Sequence, residues 1–377
     1  MNPIEQGVGP ALPETVRVAS ARVPGEVWGR VTSRALTVLL ALVRGLLLVA
    51  SVLLAIGLSP VLLCLRVLGP RLPAPVRGPA RLVLLSAAYL LTCEVGSLVA
   101  GLRLRRARRR GPGDPSDHDA LRVLLARRST AAFFATGLRW AGMRVRWPDE
   151  PPRLDPARPV VVLLRHAGLL NTQLGIHLGM KVLRRRVHGV CKSAAVLLPG
   201  AASLVGLTPL IPLRWNAEGR ARAGREFAAM GPGLGGGDAA VILPEGTNFS
   251  ARRRRARIAY LRRSGRDDLA AAAEAMPCVL PPLARGAAAL LAAAPTAQVL
   301  VVGHTGLEDV LPWRLGGGYP ARTDAAVHVA WGTYEAAEVP RDRDGFETWL
   351  YERWAELDAW VLATRRDGAA GEGRPLR

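Results

Sequence analysis

Beyond Pro159 the chain alternates short apolar runs with longer helical stretches, and no other feature restricts its fold as much. The runs are Val160–Leu164, Val187–Cys191, Thr208–Leu213, Ala239–Leu243, Ala297–Val302 and Ala325–Trp331. An unbroken run of roughly four to eight aliphatic residues suits a strand buried on both faces, as in a parallel sheet. Helical stretches between such strands supply the crossovers that parallel pairing needs. The expected fold class is therefore α/β: a mainly parallel mixed sheet flanked by helices over residues 159–364.

Ahead of this region, Gly45–Leu65 reads GLLLVASVLLAIGLSPVLLCL without a charge. About 20 such residues suffice to cross the roughly 30 Å apolar core of a bilayer. A second run, Leu82–Leu102, has Glu94 near its middle, which is costly in lipid unless paired or turned inward. The arginine-rich segment 103–110 follows directly and is expected beside anionic lipid on a cytoplasmic face. Residues 1–34 are then a polar segment, 35–105 a membrane-embedded helical hairpin, 106–158 a linker and joining helix, and 365–377 a disordered tail. GPGDPSDHD, 111–119, carries the linker signal. The competing reading makes both apolar runs core helices of a soluble domain. Nothing near the N-terminus has the form of a secretory signal.

The formal charge of +21 comes almost wholly from arginine, the only lysines being Lys181 and Lys192. RRRRARIAYLRR, 252–263, lacks the interleaved aromatics of a nucleic-acid surface. An anionic membrane or a coenzyme phosphate is the expected partner, not nucleic acid, and a merely solvated charged face is the alternative. Cys64, Cys93, Cys191 and Cys278 form no C-x-x-C pair, so they are expected reduced and buried, with no metal. GPGLGGGD, 231–238, lacks the lysine of a phosphate loop, and no Gly-x-Ser-x-Gly elbow marks a serine hydrolase. FETWLYERWAELDAWVL, 346–362, has helical apolar spacing and is expected to pack on the domain.

Ligands of open α/β sheets gather at the carboxyl ends of the strands. Four runs end on polar groups: His166 after the first, Lys192 and Ser193 after the second, Arg214 after the third and Glu245 after the fourth. With these residues the chain resembles the lysophosphatidic acid acyltransferase family of glycerolipid acyltransferases, over roughly 150–335 together with the hydrophobic hairpin. The family's His-x4-Asp block falls on HAGLLN, His166–Asn171, and its Ile-Pro-x-Arg block on GLTPLIPLR, ending at Arg214. Its Pro-Glu-Gly-Thr-Arg-Ser block falls on PEGTNFS, giving Glu245, Gly246, Thr247 and Asn248, and its double proline on Pro281 and Pro282. A lysine ahead of the second block matches Lys192.

The resemblance implies acyl transfer from acyl-CoA or acyl carrier protein, as cosubstrate, to a lysophospholipid hydroxyl, with no cofactor. His166 would take the proton of the attacking hydroxyl. Arg214 and Lys192 would bind the acceptor's phosphate. Glu245 would order Arg214 or accept from a second acceptor hydroxyl, and the N–H groups of Gly246 and Thr247 would hold phosphate or the developing oxyanion. Two positions depart from the family: its aspartate is Asn171 and the arginine that follows its Pro-Glu-Gly-Thr is Asn248. An amide can fix the imidazole tautomer only if its oxygen faces the ring, and cannot stabilise an imidazolium as a carboxylate does. Arg252–Arg257 would offset the loss at 248. The alternative is a catalytically degenerate relative that binds anionic lipid or protein partners. HTGLED, His304–Asp309, also fits His-x4-Asp, but it stands after the other blocks, out of family order.

Overall fold

The computed structural model describes residues 42–367 apart from 107–114, 193–209, 214–216, 311–325 and a few positions at 44, 47–48, 51, 55, 97–98, 100–101, 104–105, 141 and 169. In chain order these residues form α1 (Ser59–Leu68), α2 (Ala74–Tyr89), α3 (Pro115–Ala132), β1 (Arg144–Arg146), β2 (Val160–Leu164), α4 (Asn171–His177), β3 (Arg186–Lys192) and β4 (Leu210–Leu213). There follow α5 (Ala217–Met230), β5 (Asp238–Ile242), α6 (Ala251–Arg263), α7 (Asp267–Glu274), α8 (Ala284–Ala293), β6 (Gln298–Thr305), β7 (Ala326–Tyr334) and α9 (Arg343–Asp367).

The strands make one seven-stranded sheet in the order β1-β7-β6-β2-β5-β3-β4. The pairs β2–β6, β2–β5, β3–β5 and β3–β4 are parallel. Only β6–β7 is antiparallel, and β1 joins parallel to β7 at the far edge. The mainly parallel mixed sheet expected from the apolar runs is therefore present. β2, at its centre, is inaccessible to solvent at all five residues because both sheet faces are covered. On one face Val161, Leu163, Ala240 and Val299 pack with Met276, Leu290 and the stripe Phe346, Leu350, Trp354, Leu357 and Val361 of α9. On the other, Val160, Val162, Leu164 and Val302 pack with Phe133, Leu138, Leu174 and Leu178.

Several boundaries differ from the sequence reading. Among the described residues no helix is long and apolar enough to cross a membrane. α1 has ten residues, the turn Gly69–Arg71 ends it, and α2 has sixteen with Pro79 inside. Leu62 of α1 and Leu84, Leu85 and Ala88 of α2 belong to the core beneath the sheet, so this part of the hairpin is a layer of the domain. Its other side exposes Leu63, Val67, Leu68 and Val83. α3 already begins at Pro115, inside the expected linker; proline at a first helical position gives up only an N–H that would lack a partner. β1, in the segment taken as a joining piece, is part of the sheet. α9 continues through 367, because Arg365 is tied to Glu308 and Asp309, so the tail does not begin at 365. Of the cysteines, Cys278 is buried, Cys191 is half-buried with its thiol pushed up to about 11 by burial, and Cys64 is exposed, against the expectation of burial. The N-terminal segment, the arginine run beyond 106 and residues 368–377 lie outside the described residues.

Candidate functional site

β2 and β5 are adjacent and parallel, with Leu163 opposite Ile242. Three residues further along each strand stand His166 and Glu245, so the register alone brings these two expected site residues to the same place on the carboxyl edge. The carboxylate of Glu245 accepts the main-chain N–H of His166 at 3.0 Å and that of Leu280 at 3.1 Å. One side chain thereby joins the histidine segment, the PEGT loop and the VLPP loop. Glu245 is 0 % exposed, and burial pushes its carboxyl up to about 7 against the opposing pull of Arg165 and the two N–H groups. A carboxyl so enclosed is a brace of the loops; of the two roles expected from the sequence, contact with an acceptor hydroxyl does not fit it, and the ordering of Arg214 falls on a residue outside the described ones.

The guanidinium of Arg257 donates to the carbonyls of Glu245 (2.9 Å) and Pro281 (2.7 Å), and Leu283 N–H donates to Pro244 C=O. Pro281 and Pro282 are buried in this joint. Gly246 has φ +66, which favours glycine, and its N–H donates to Leu243 C=O at 2.9 Å. It therefore closes a turn and is not offered to phosphate or an oxyanion. Thr247 and Asn248 are half-buried beside it. Ser250 then caps α6, its hydroxyl accepting from Arg253 N–H at 3.2 Å. Lys192 ends β3 opposite Leu213 of β4 on the same edge; its side chain, Ser193 and Arg214 lie outside the described residues.

His166 is half-buried, and its Nδ1 lies 3.1 Å from the amide nitrogen of Asn171. Asn171 Oδ1 accepts from Ala167 N–H at 3.2 Å, while its Nδ2 donates to Gly168 C=O and, at 2.7 Å, to Oδ1 of Asn248. The amide nitrogen, not the oxygen, faces the ring, and the two positions that depart from the family touch each other. Gly168 has φ +98, and a Cβ there would meet Leu307 at 2.6 Å, so only glycine lets this turn pass.

His304, the competing histidine, is fully buried on β6. Its Nε2 donates to Arg165 C=O at 3.0 Å, and burial with the nearby Arg165 charge lowers its pKa to about 4. Asp309 of the same HTGLED segment is paired with Arg365. This imidazole holds two strand ends together and stays neutral.

Sequence reasoning passed over Arg165, although a charge directly after a wholly apolar strand demands a buried partner. Its Nη1 bonds Glu308 at 3.0 Å and His304 C=O, and its Nη2 bonds Cys278 C=O at 2.8 Å. Burial would raise the Glu308 carboxyl, but Arg165, His304 and Arg365 outweigh it and hold the group at about 2. Asp358 of α9 supports the same loop by accepting Cys278 N–H at 2.5 Å. Among the described residues no group of His, Cys, Asp and Glu has a metal-holding arrangement.

Fold and site together define an α/β protein with one histidine presented at the carboxyl edge of a buried parallel strand. No family model matches the sequence. None of the curated proteins matches it either. Among solved structures, the chain is similar to the 1-acyl-sn-glycerophosphate (LPA) acyltransferase of Thermotoga maritima, with a TM-score of 0.49 and 12 % identity, over 78 % of this chain and 98 % of that one.

Proposed function

We propose that this chain is a membrane-associated glycerolipid acyltransferase that moves an acyl group from acyl-CoA or acyl carrier protein to the hydroxyl of a lysophospholipid such as lysophosphatidic acid. The observation that carries the proposal is the convergence of three motif segments on His166 through the single carboxylate of Glu245. In the step itself, the acceptor oxygen attacks the thioester carbonyl as His166 Nε2 takes its proton; the C–S bond then breaks and the proton passes to the departing thiolate. Lys192 and Arg214, from neighbouring strand ends, are assigned to the acceptor's phosphate, and Thr247 to the oxygens around the reacting carbonyl.

Membrane association is supported by the exposed leucines and valines of the hairpin, because apolar patches of this kind on a protein surface mark lipid or protein contacts. The arginine-rich segment 103–110 supports a cytoplasmic-face location beside anionic lipid.

A second reading, a degenerate member of the fold that binds anionic lipid or protein partners, draws on the amide nitrogen facing His166, which opposes proton uptake. Transfer of labelled acyl groups from acyl-CoA and from acyl carrier protein to lysophosphatidic acid separates the two. Turnover abolished by His166→Ala supports the enzyme; lipid binding with no turnover from either donor, in the wild type and in Asn171→Asp alike, supports the binding protein.

A further inference from the structure

The amide of Asn171 has its orientation fixed by two main-chain groups. Ala167 N–H can be met only by the oxygen, and Gly168 C=O only by the nitrogen. Asn248 Oδ1 adds a third restraint in the same sense, at 2.7 Å. The N–H-bearing end of the amide is thus presented to His166 Nδ1 at 3.1 Å. A neutral imidazole has one protonated and one bare nitrogen. A proton on Nδ1 would point at an NH2 group that offers it no acceptor, whereas a bare Nδ1 can share, in a three-centre bond, one of the two Nδ2 hydrogens already directed at Gly168 C=O and Asn248 Oδ1.

We infer that Asn171 and Asn248 form a paired positioning device that keeps the neutral ring of His166 protonated on Nε2, so that its outer nitrogen rests as a hydrogen-bond donor and not as a proton acceptor. The two departures from the family pattern are then one linked change. Asn248 is itself steadied by α6, where Arg253 donates to its carbonyl at 2.9 Å. For His166 to take a proton at Nε2, the Asn171 amide must turn over and give up its bonds to Ala167, Gly168 and Asn248. An Nε2–H donor suits an anionic phosphate or a polarised carbonyl oxygen, so the resting site is arranged to hold such a group and is slow to deprotonate a hydroxyl. The consequence for rate rests on the acyltransferase reading; the tautomer does not.

The test is the long-range ¹H–¹⁵N spectrum of the full chain, with the His166 ring signals identified by their loss in His166→Ala and recorded at a pH where the ring is neutral. The wild type is expected to show a bare Nδ1 and a protonated Nε2. Asn171→Asp is expected to reverse the pattern and to raise acyl transfer from acyl-CoA to lysophosphatidic acid by at least about 10²-fold, as a carboxylate restores the accepting tautomer. Asn248→Ala, which leaves the Ala167 and Gly168 bonds in place, is expected to raise it less. A wild-type ring protonated on Nδ1, or one that remains cationic throughout, overturns the inference, as does an Asn171→Asp ring still protonated on Nε2. The expected spectra without acyl transfer in any variant would leave the tautomer device standing and remove the acyltransferase reading.

Discussion

Glu245 and His166 are linked through the main chain: the carboxylate of the first, three residues past the end of β5, accepts at 3.0 Å the N–H of the second, two residues past the end of the adjacent parallel β2. The imidazole is therefore positioned from behind by a group that never reaches solvent. Because burial raises the Glu245 pKa to about 7 from its ordinary 4.5, the folded state holds this proton more tightly than the unfolded chain. The contribution of Glu245 to stability thus falls as pH rises from about 4.5 to about 7. Glu245→Gln, which mimics the protonated form, is expected to match the wild type in urea unfolding near pH 5 and to gain on it by pH 8. A wild type that gains on the variant as pH rises would mean the carboxylate is better paired than its burial suggests.

His304 works in the opposite direction. Burial, reinforced by Arg165, lowers its pKa to about 4, so the folded state binds fewer protons than the unfolded chain. Its stabilising contribution is complete above about 6.5 and is lost as pH falls towards 4. His304→Gln retains a donor for Arg165 C=O and is expected to remove that part of the acid sensitivity. Acyl transfer should persist in this variant and fall by about 10²- to 10⁴-fold in His166→Ala, whose melting temperature should stay near that of the wild type. Loss in His304→Gln with retention in His166→Ala would exchange the two roles.

Gly168 carries the chain from β2 towards α4 with φ +98, and a Cβ would lie 2.6 Å from a Leu307 main-chain atom. Gly168→Ala is expected to lower stability by about 1–3 kcal/mol from backbone strain alone, with the clash adding to it. Denaturant titration measures the loss; a variant as stable as the wild type would show that the turn has another conformation open to it.

Arg165 and Glu308 are both buried, 143 residues apart in sequence, and joined at 3.0 Å. Arg165→Met leaves a carboxylate whose remaining cation is Arg365, and breaking a buried pair in this way lowers stability by about 3–5 kcal/mol. The expectation is a large drop in the urea midpoint; a drop under about 1 kcal/mol would mean that Arg365 suffices.

The hairpin helices have two faces. Leu84→Ala, in the core under the sheet, is expected to lower stability by about 2–5 kcal/mol. Leu63→Asp with Val67→Asp, on exposed positions, should change stability little yet weaken co-sedimentation with anionic phospholipid vesicles. Unchanged sedimentation would remove the exposed face as the lipid contact.

The order of buried strands and the class of fold were legible in the sequence, because unbroken aliphatic runs separated by helical stretches suit little else than a parallel sheet covered on both sides. Presentation of His166 and Glu245 at one edge followed as well, since adjacent parallel strands bring their carboxyl ends together. The stripe from Phe346 to Val361 likewise announced a packed helix. Tertiary structure alone decided that Glu245 faces inward and that Arg165 requires Glu308, because these contacts join residues 79 and 143 positions apart and no local pattern encodes them. It also decided that the described hairpin helices cover the sheet, since an apolar run reads the same whether lipid or protein surrounds it. Finally, it set which end of the Asn171 amide meets the imidazole, for that is fixed by the main-chain groups of Ala167 and Gly168, whose directions exist only once the turn at Gly168 has formed.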